Sequence, residues 1–269
     1  MEDLAQINWQ IGVIALVGGV VPALLWLLFW IKEDKKPEPW YYLMFAFIAG
    51  MAAVPLVIPF NNLLVEHLSL SDHLSTEDLG QVQTLGFLMF LFAHFLMAGL
   101  EEVFKYGVAF FSALSTPENN ERIDPIIYMI VVALGFAALE NTLYILGPLK
   151  YGEGLWLSGA VTMGTLRFLG PTLLHVISSA TLGLFLSFSF YYPRRRQRWL
   201  YIPLGLLAAT AIHTVYNVML LVGDQNWIMG VFTGVWLGVI ILLAKLNSIR
   251  AQPEKVKAAT NKPGRTPLY

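Results

Sequence analysis

A chain of 269 residues that is 57% hydrophobic and 13% charged, with a mean hydropathy of +0.62, has too little polar surface to face water on most sides; an average soluble domain carries about 25% charged residues. The formal net charge of −1 argues against a nucleic-acid partner. The absence of cysteine excludes disulfides, thiol nucleophiles, thiolate metal sites and palmitoyl anchors.

The chain opens on MEDLAQINWQ, acidic and without the basic start of a secretory signal, and the apolar run Ile11 to Ile31 then reads as a retained first helix. Further apolar stretches near the ~20 residues that cross a bilayer lie at about 40–60, 84–114, 125–147, 158–191, 200–222 and 227–246. The stretches 84–114 and 158–191 exceed one crossing and are expected to tilt, kink or protrude. Gly170-Pro171 falls inside the second of these, where the missing N–H predicts a kink. The segment 61–83 is acidic, with Glu66, Asp72, Glu77 and Asp78, and is expected to hold a short interfacial helix around 63–70. Trp9, Trp40, Tyr41, Tyr42, Trp156, Tyr191, Tyr192, Trp199, Tyr201 and Trp227 sit near span ends as an aromatic belt. The Lys-rich tail after Arg250 reads as a disordered cytosolic anchor.

Basic residues orient the bundle. With the N-terminus outside, fourteen lysines and arginines fall on the cytosolic side (Lys32, Lys35, Lys36, Arg122, Arg194, Arg195, Arg196, Arg198, Lys245, Arg250, Lys255, Lys257, Lys262 and Arg265), against Lys150 alone outside. The expectation is an all-α, polytopic bundle of about seven spans, N-out and C-in. It forms one membrane domain over 1–249, with a motif core at 84–222 and a polar tail at 250–269. No inverted repeat of the transporter kind is visible.

Several residues do not belong in hydrocarbon: Glu101, Glu102, Lys105, Glu140, Asn141, Arg167, His94, His175, His213 and Asn217. A charged side chain at mid-bilayer costs at least about 2.5–3.5 kcal/mol on insertion scales, so each is a functional candidate. Counted from the cytosolic end of its span, Glu101 lies 13 residues in, Glu140 15, His175 16 and His213 13. At about 1.5 Å per residue these four share a layer near 20 Å deep. Lys105 is i+4 from Glu101 and i+3 from Glu102, so it can neutralise one of them and leave the other as base or ligand. His213 and Asn217 share a helix face, as do Phe136 and Glu140. Arg167 reads as a structural balance to the acidic cluster, and His94, a turn or more further out, as a packed polar residue.

Two chemistries suit these parts. A carboxylate can act as general base with His or Asn donors for the oxyanion. Alternatively, two histidines and a carboxylate can hold Zn²⁺ while a second carboxylate takes the proton. A helix-borne HExxH site, an aspartate pair within the spans and a GxSxG nucleophile are all missing, leaving Ser178 and Ser179 near His175 as a weak serine possibility. An ion- or proton-coupled transporter would also bury Glu and His, and a non-enzymatic scaffold that sequesters peptides or lipids is a further class.

Four motifs occur in order: Glu101-Glu102-Val-Phe-Lys105, Phe136-Ala-Ala-Leu-Glu140-Asn141, His175 with Gly183, and His213-Thr-Val-Tyr-Asn217. This ordered set resembles the PrsW family of intramembrane proteases, related to the CAAX prenyl-protease and bacteriocin-processing superfamily. The resemblance implies a multi-pass protein of a prokaryotic cell membrane. It also implies site-1-type cleavage of membrane-anchored substrates such as anti-sigma factors. It carries over Glu101 and Glu102 as the acidic pair, with Glu140, His175 and His213 completing the centre and Asn217 assisting His213. The related prenyl proteases have FxxxH where this chain has FxxxE at Glu140. The resulting expectation is Glu101 as base, Glu140, His175 and His213 as zinc ligands, and Asn217 as an oxyanion donor or a support to the ligands. Glu102 with Lys105, Arg167 and Asn141 would provide structural support, and a metal-free glutamate mechanism is the alternative.

Overall fold

The computed structural model describes residues 9–33, 38–67, 84–150, 156–189 and 195–250. Within them the chain is helical: α1 Trp9–Lys32, α2 Trp40–His67, α3 Thr84–Ala109, α4 Asp124–Lys150, α5 Trp156–Leu169, α6 Pro171–Ser189, α7 Arg195–Val222 and α8 Gln225–Arg250. A π-helical turn, Phe110–Leu114, extends α3. Seven helical segments among the described residues are long and apolar enough to cross a membrane, one for each stretch read from the sequence. The protein is a multi-pass integral membrane protein.

One local expectation changes. The second span does not stop near residue 60: α2 runs on to His67 despite Pro55 and Pro59. The first part of the expected interfacial helix is therefore the end of α2, and residues 68–70 lie outside the described ones, as does the tail after Arg250. The fifth span is interrupted at Gly170 as expected, and Pro171 starts α6, where a missing N–H costs nothing; Gly170 N–H still donates to Leu166 O and Leu174 N–H to Gly170 O, so the helical path continues across the interruption. The carbonyls released there find other donors. Thr172 Oγ1 donates to Arg167 O at 2.8 Å, and Trp26 Nε1 donates to Phe168 O at 3.2 Å. An interrupted helix is tolerated inside a membrane protein when its backbone groups are satisfied in this way.

Helix α4 is the axis of the bundle. In its most apolar window 83% of the residues are buried, against 22% in α1 and 17% in α8. Lipid is as apolar as leucine, so close backbone approach at small residues must hold such helices together. Gly50 of α2 lies against the carbonyl of Val132, and Gly135 of α4 against that of Phe47, so each helix supplies a glycine at the other's backbone. A Cβ at Gly183 of α6 would stand 2.7 Å from Ile126 Cα. These contacts fix α2 and α6 against the helix that carries Glu140.

The charge asymmetry makes the orientation testable. A reporter fused after Arg196 or at the C-terminus should read as cytosolic, and one inserted near Asp72 as external. The reverse pattern would overturn the N-out assignment.

Candidate active site

The intramembrane polar residues meet in one place. Glu101, Glu102 and Lys105 come from α3, Glu140 and Asn141 from α4, Arg167 from the last turn of α5, His175 from α6, and His213 and Asn217 from α7. Arg167 and His175, eight residues apart in sequence on either side of Gly170, reach the same carboxylate.

Glu102 is the anchor of the cluster. It and Lys105 are fully buried, and Lys105 Nζ donates to Glu102 Oε1 at 2.8 Å. Ser178 Oγ donates to the same oxygen at 3.0 Å, and Ser179 Oγ to Oε2 at 2.8 Å. His213 Nδ1 lies 2.9 Å from Oε1 and, facing a carboxylate, carries the proton and donates. A buried carboxylate is tolerable only when paired and hydrogen-bonded, and Glu102 meets both conditions. With these donors on it, Glu102 has little capacity left to accept a proton from water.

Glu101 is placed differently. Its Oε2 is buried and has no hydrogen-bond partner, and the nearest cations or imidazoles stand off at 3.6 Å (His213 Nε2) and 3.8 Å (Lys105 Nζ). It lines a cavity of about 490 Å³ together with Glu140, Arg167, His175, His213 and Asn217. A second cavity of about 420 Å³, between α1, α4 and α5, is lined by apolar residues and Thr165 and has no titratable group. The titratable side chains therefore gather at the first.

On the opposite wall Glu140 Oε2 pairs with Arg167 Nη2 at 2.6 Å and lies 2.9 Å from His175 Nε2. Arg167 Nε donates to Asn141 Oδ1 at 2.5 Å, Asn141 Nδ2 donates to Thr172 Oγ1 at 2.9 Å, and the guanidinium stacks 3.8 Å over the ring of Tyr144. Both nitrogens of His175 are engaged, because Lys105 Nζ donates to Nδ1 at 2.9 Å while Nε2 faces Glu140. Lys105 also sits 4.4 Å over the Phe136 ring, so it bridges three of the four motifs.

Glu101, His175 and His213 each offer a ligand atom, and the three atoms lie within 4.8 Å of one another. Glu140, expected among the ligands, touches His175 but stands with Arg167. Asn217 lines the cavity. Ser178 and Ser179 stand in the site as donors to Glu102, not as exposed nucleophiles. Their spacing of i+3 and i+4 from His175 was the one sequence signal of that role. Thr172 and Tyr144 gave no comparable signal.

Residues 38–245 match the family model described as PrsW family intramembrane metalloprotease. Protease PrsW of Bacillus subtilis is 28% identical over 213 residues, covering 78% of this chain and 84% of its own. Protease PrsW of Geobacillus kaustophilus is 27% identical over 217 residues (80% and 83%), and that of Halalkalibacterium halodurans 24% over 214 (79% and 86%). No solved structure matches the fold.

Proposed function

Because the chain belongs to the PrsW family of intramembrane proteases, we propose that it is an endopeptidase that hydrolyses a peptide bond of a membrane-anchored protein inside the cavity at Glu101. The observation that carries this reading is the Glu101 carboxylate itself. A carboxylate that lines a chamber large enough for water and a peptide, with one oxygen buried and without a donor, is costly to maintain for structure alone.

A divalent cation, zinc first, fits the donors around it. His213 presents Nε2 towards Glu101 because Glu102 holds its Nδ1–H, the arrangement by which a carboxylate orients a ligating histidine. Three carboxylates against Lys105 and Arg167 also leave one negative charge unmatched when the histidines are neutral. Glu101, His175 and His213 would hold the ion, His175 giving up one of its two hydrogen bonds. When bound, zinc polarises the substrate carbonyl and makes water more acidic. Glu140 then takes the proton from the attacking water and hands it to the leaving nitrogen, with Arg167 holding its carboxylate in place beforehand. Asn217 is the amide donor for the developing oxyanion. The two carboxylates thus exchange the roles expected of them from sequence, since Glu101 is the one grouped with the histidines.

One observation favours a second reading. Both ring nitrogens of His175 are occupied by Lys105 and Glu140, which suits a metal-free centre in which Glu101 is itself the base. Elemental analysis of purified protein separates the two. The metal reading predicts near one zinc per chain, lost in His175→Ala and His213→Ala, and activity lost to a strong chelator and regained with zinc. Full activity of metal-free protein would leave the glutamate mechanism in its place. A coupled transporter would instead need a sealed membrane and a gradient, whereas hydrolysis proceeds in detergent.

A further inference from the structure

His94 is buried to 8% exposure and takes no part in the chemistry above, yet it lines the same cavity as Glu101. Its Nδ1 lies 2.9 Å from Phe90 O, one turn back in α3. A carbonyl can only accept, so Nδ1 carries the proton and the neutral ring keeps Nε2 as an acceptor. Among the described residues nothing donates to that nitrogen. Asn61, near the end of α2, lines the cavity too, and its Oδ1 is buried without a donor. An unpaired ring nitrogen and an unpaired amide oxygen on two residues that line the cavity suit a ligand that brings N–H groups.

The separation identifies which N–H groups. His94 precedes Glu101 by seven residues, two turns on the same helix face, or about 10 Å along α3 at 1.5 Å per residue. An extended peptide advances about 3.3 Å per residue, so 10 Å is about three residues. A substrate must be unwound to expose a scissile bond, and unwinding frees backbone N–H groups that cannot remain unpaired within a membrane.

We propose that His94 and Asn61 form a substrate-backbone subsite, with His94 Nε2 accepting a main-chain N–H about three residues from the scissile bond. His94 is a positioning residue. This rests on the proteolytic reading above, and its test is built to fail separately from it. The substrate is a synthetic single-span peptide cleaved by the purified protein. Its backbone amides are replaced one at a time by esters, which lack the N–H, over four positions on each side of the cut.

Wild type should lose about three- to tenfold in kcat/KM at one position near the third residue, the value of one neutral hydrogen bond. His94→Leu should raise KM by the same factor with kcat nearly unchanged, because the contact exists equally in ground and transition states. It should also no longer respond to that ester. His94→Gln, which restores an acceptor, should recover part of the KM and the ester response. If the all-amide peptide is not cleaved by wild type, the proteolytic reading fails and this one with it. Should cleavage proceed with the ester penalty unchanged in a folded His94→Leu protein, or with no sensitive position at all, the subsite is refuted and the proteolytic reading stands. Where His94→Leu does not fold, the same comparison made on His94→Phe, which also lacks an acceptor, decides.

Discussion

Glu101→Gln should lower cleavage by about 10²- to 10⁴-fold, the range for removing a general acid–base group, while the protein stays inserted and folded. Both parts follow from the same feature. Glu101 Oε2 takes no hydrogen bond in the resting protein, so the substitution weakens only its long contacts to His213 at 3.6 Å and Lys105 at 3.8 Å. It also removes a buried negative charge, so thermal stability in detergent should hold or rise, as is common where a site is strained for function. The loss is expected with or without a metal, since Glu101 is a ligand in one case and the base in the other. Near-normal turnover by Glu101→Gln would remove this carboxylate from the reaction and leave Glu140 as the first alternative.

Lys105→Met should have the opposite profile, with a large loss of stability. The methionine is close in length, so the change tests charge and hydrogen bonding more than volume. It removes the 2.8 Å bond to Glu102, the 2.9 Å bond to His175 and the cation over Phe136. Glu102 would then be a fully buried carboxylate without a counter-charge, and breaking one half of such a pair costs about 3–5 kcal/mol. Thermal or denaturant unfolding in detergent reads this directly. The double variant Lys105→Met with Glu102→Gln should recover part of the loss, because it removes the stranded charge. Additive losses in the double variant would show that the pair is not coupled.

Which parts of the site were legible in the sequence follows from how local each interaction is. The seven spans needed only hydropathy, and the shared depth of Glu101, Glu140, His175 and His213 needed only residue counting. The choice between Glu101 and Glu102 was not readable. Both lie within one turn of Lys105, and the decision is made by α6 and α7, which bring Ser178, Ser179 and His213 to Glu102 alone. The pairing of Arg167 with Glu140 joins two helices across 27 residues, beyond any periodic pattern. Likewise, Gly170-Pro171 announced an interruption but not its extent. The interruption is accommodated by Thr172 and Trp26, which supply donors to the freed carbonyls, and Trp26 sits on a different helix.

The proposed reaction is hydrolysis of a peptide bond at the chamber that Glu101 lines. The most direct test incubates purified protein with a single-span substrate in detergent made up in oxygen-18 water and maps the products by mass spectrometry. The prediction is a pair of fragments meeting at one peptide bond, with one oxygen-18 in the new carboxyl group, formed by wild type and not by Glu101→Gln. An intact substrate after incubation with folded wild-type protein, or the same cut made equally by Glu101→Gln, would contradict it.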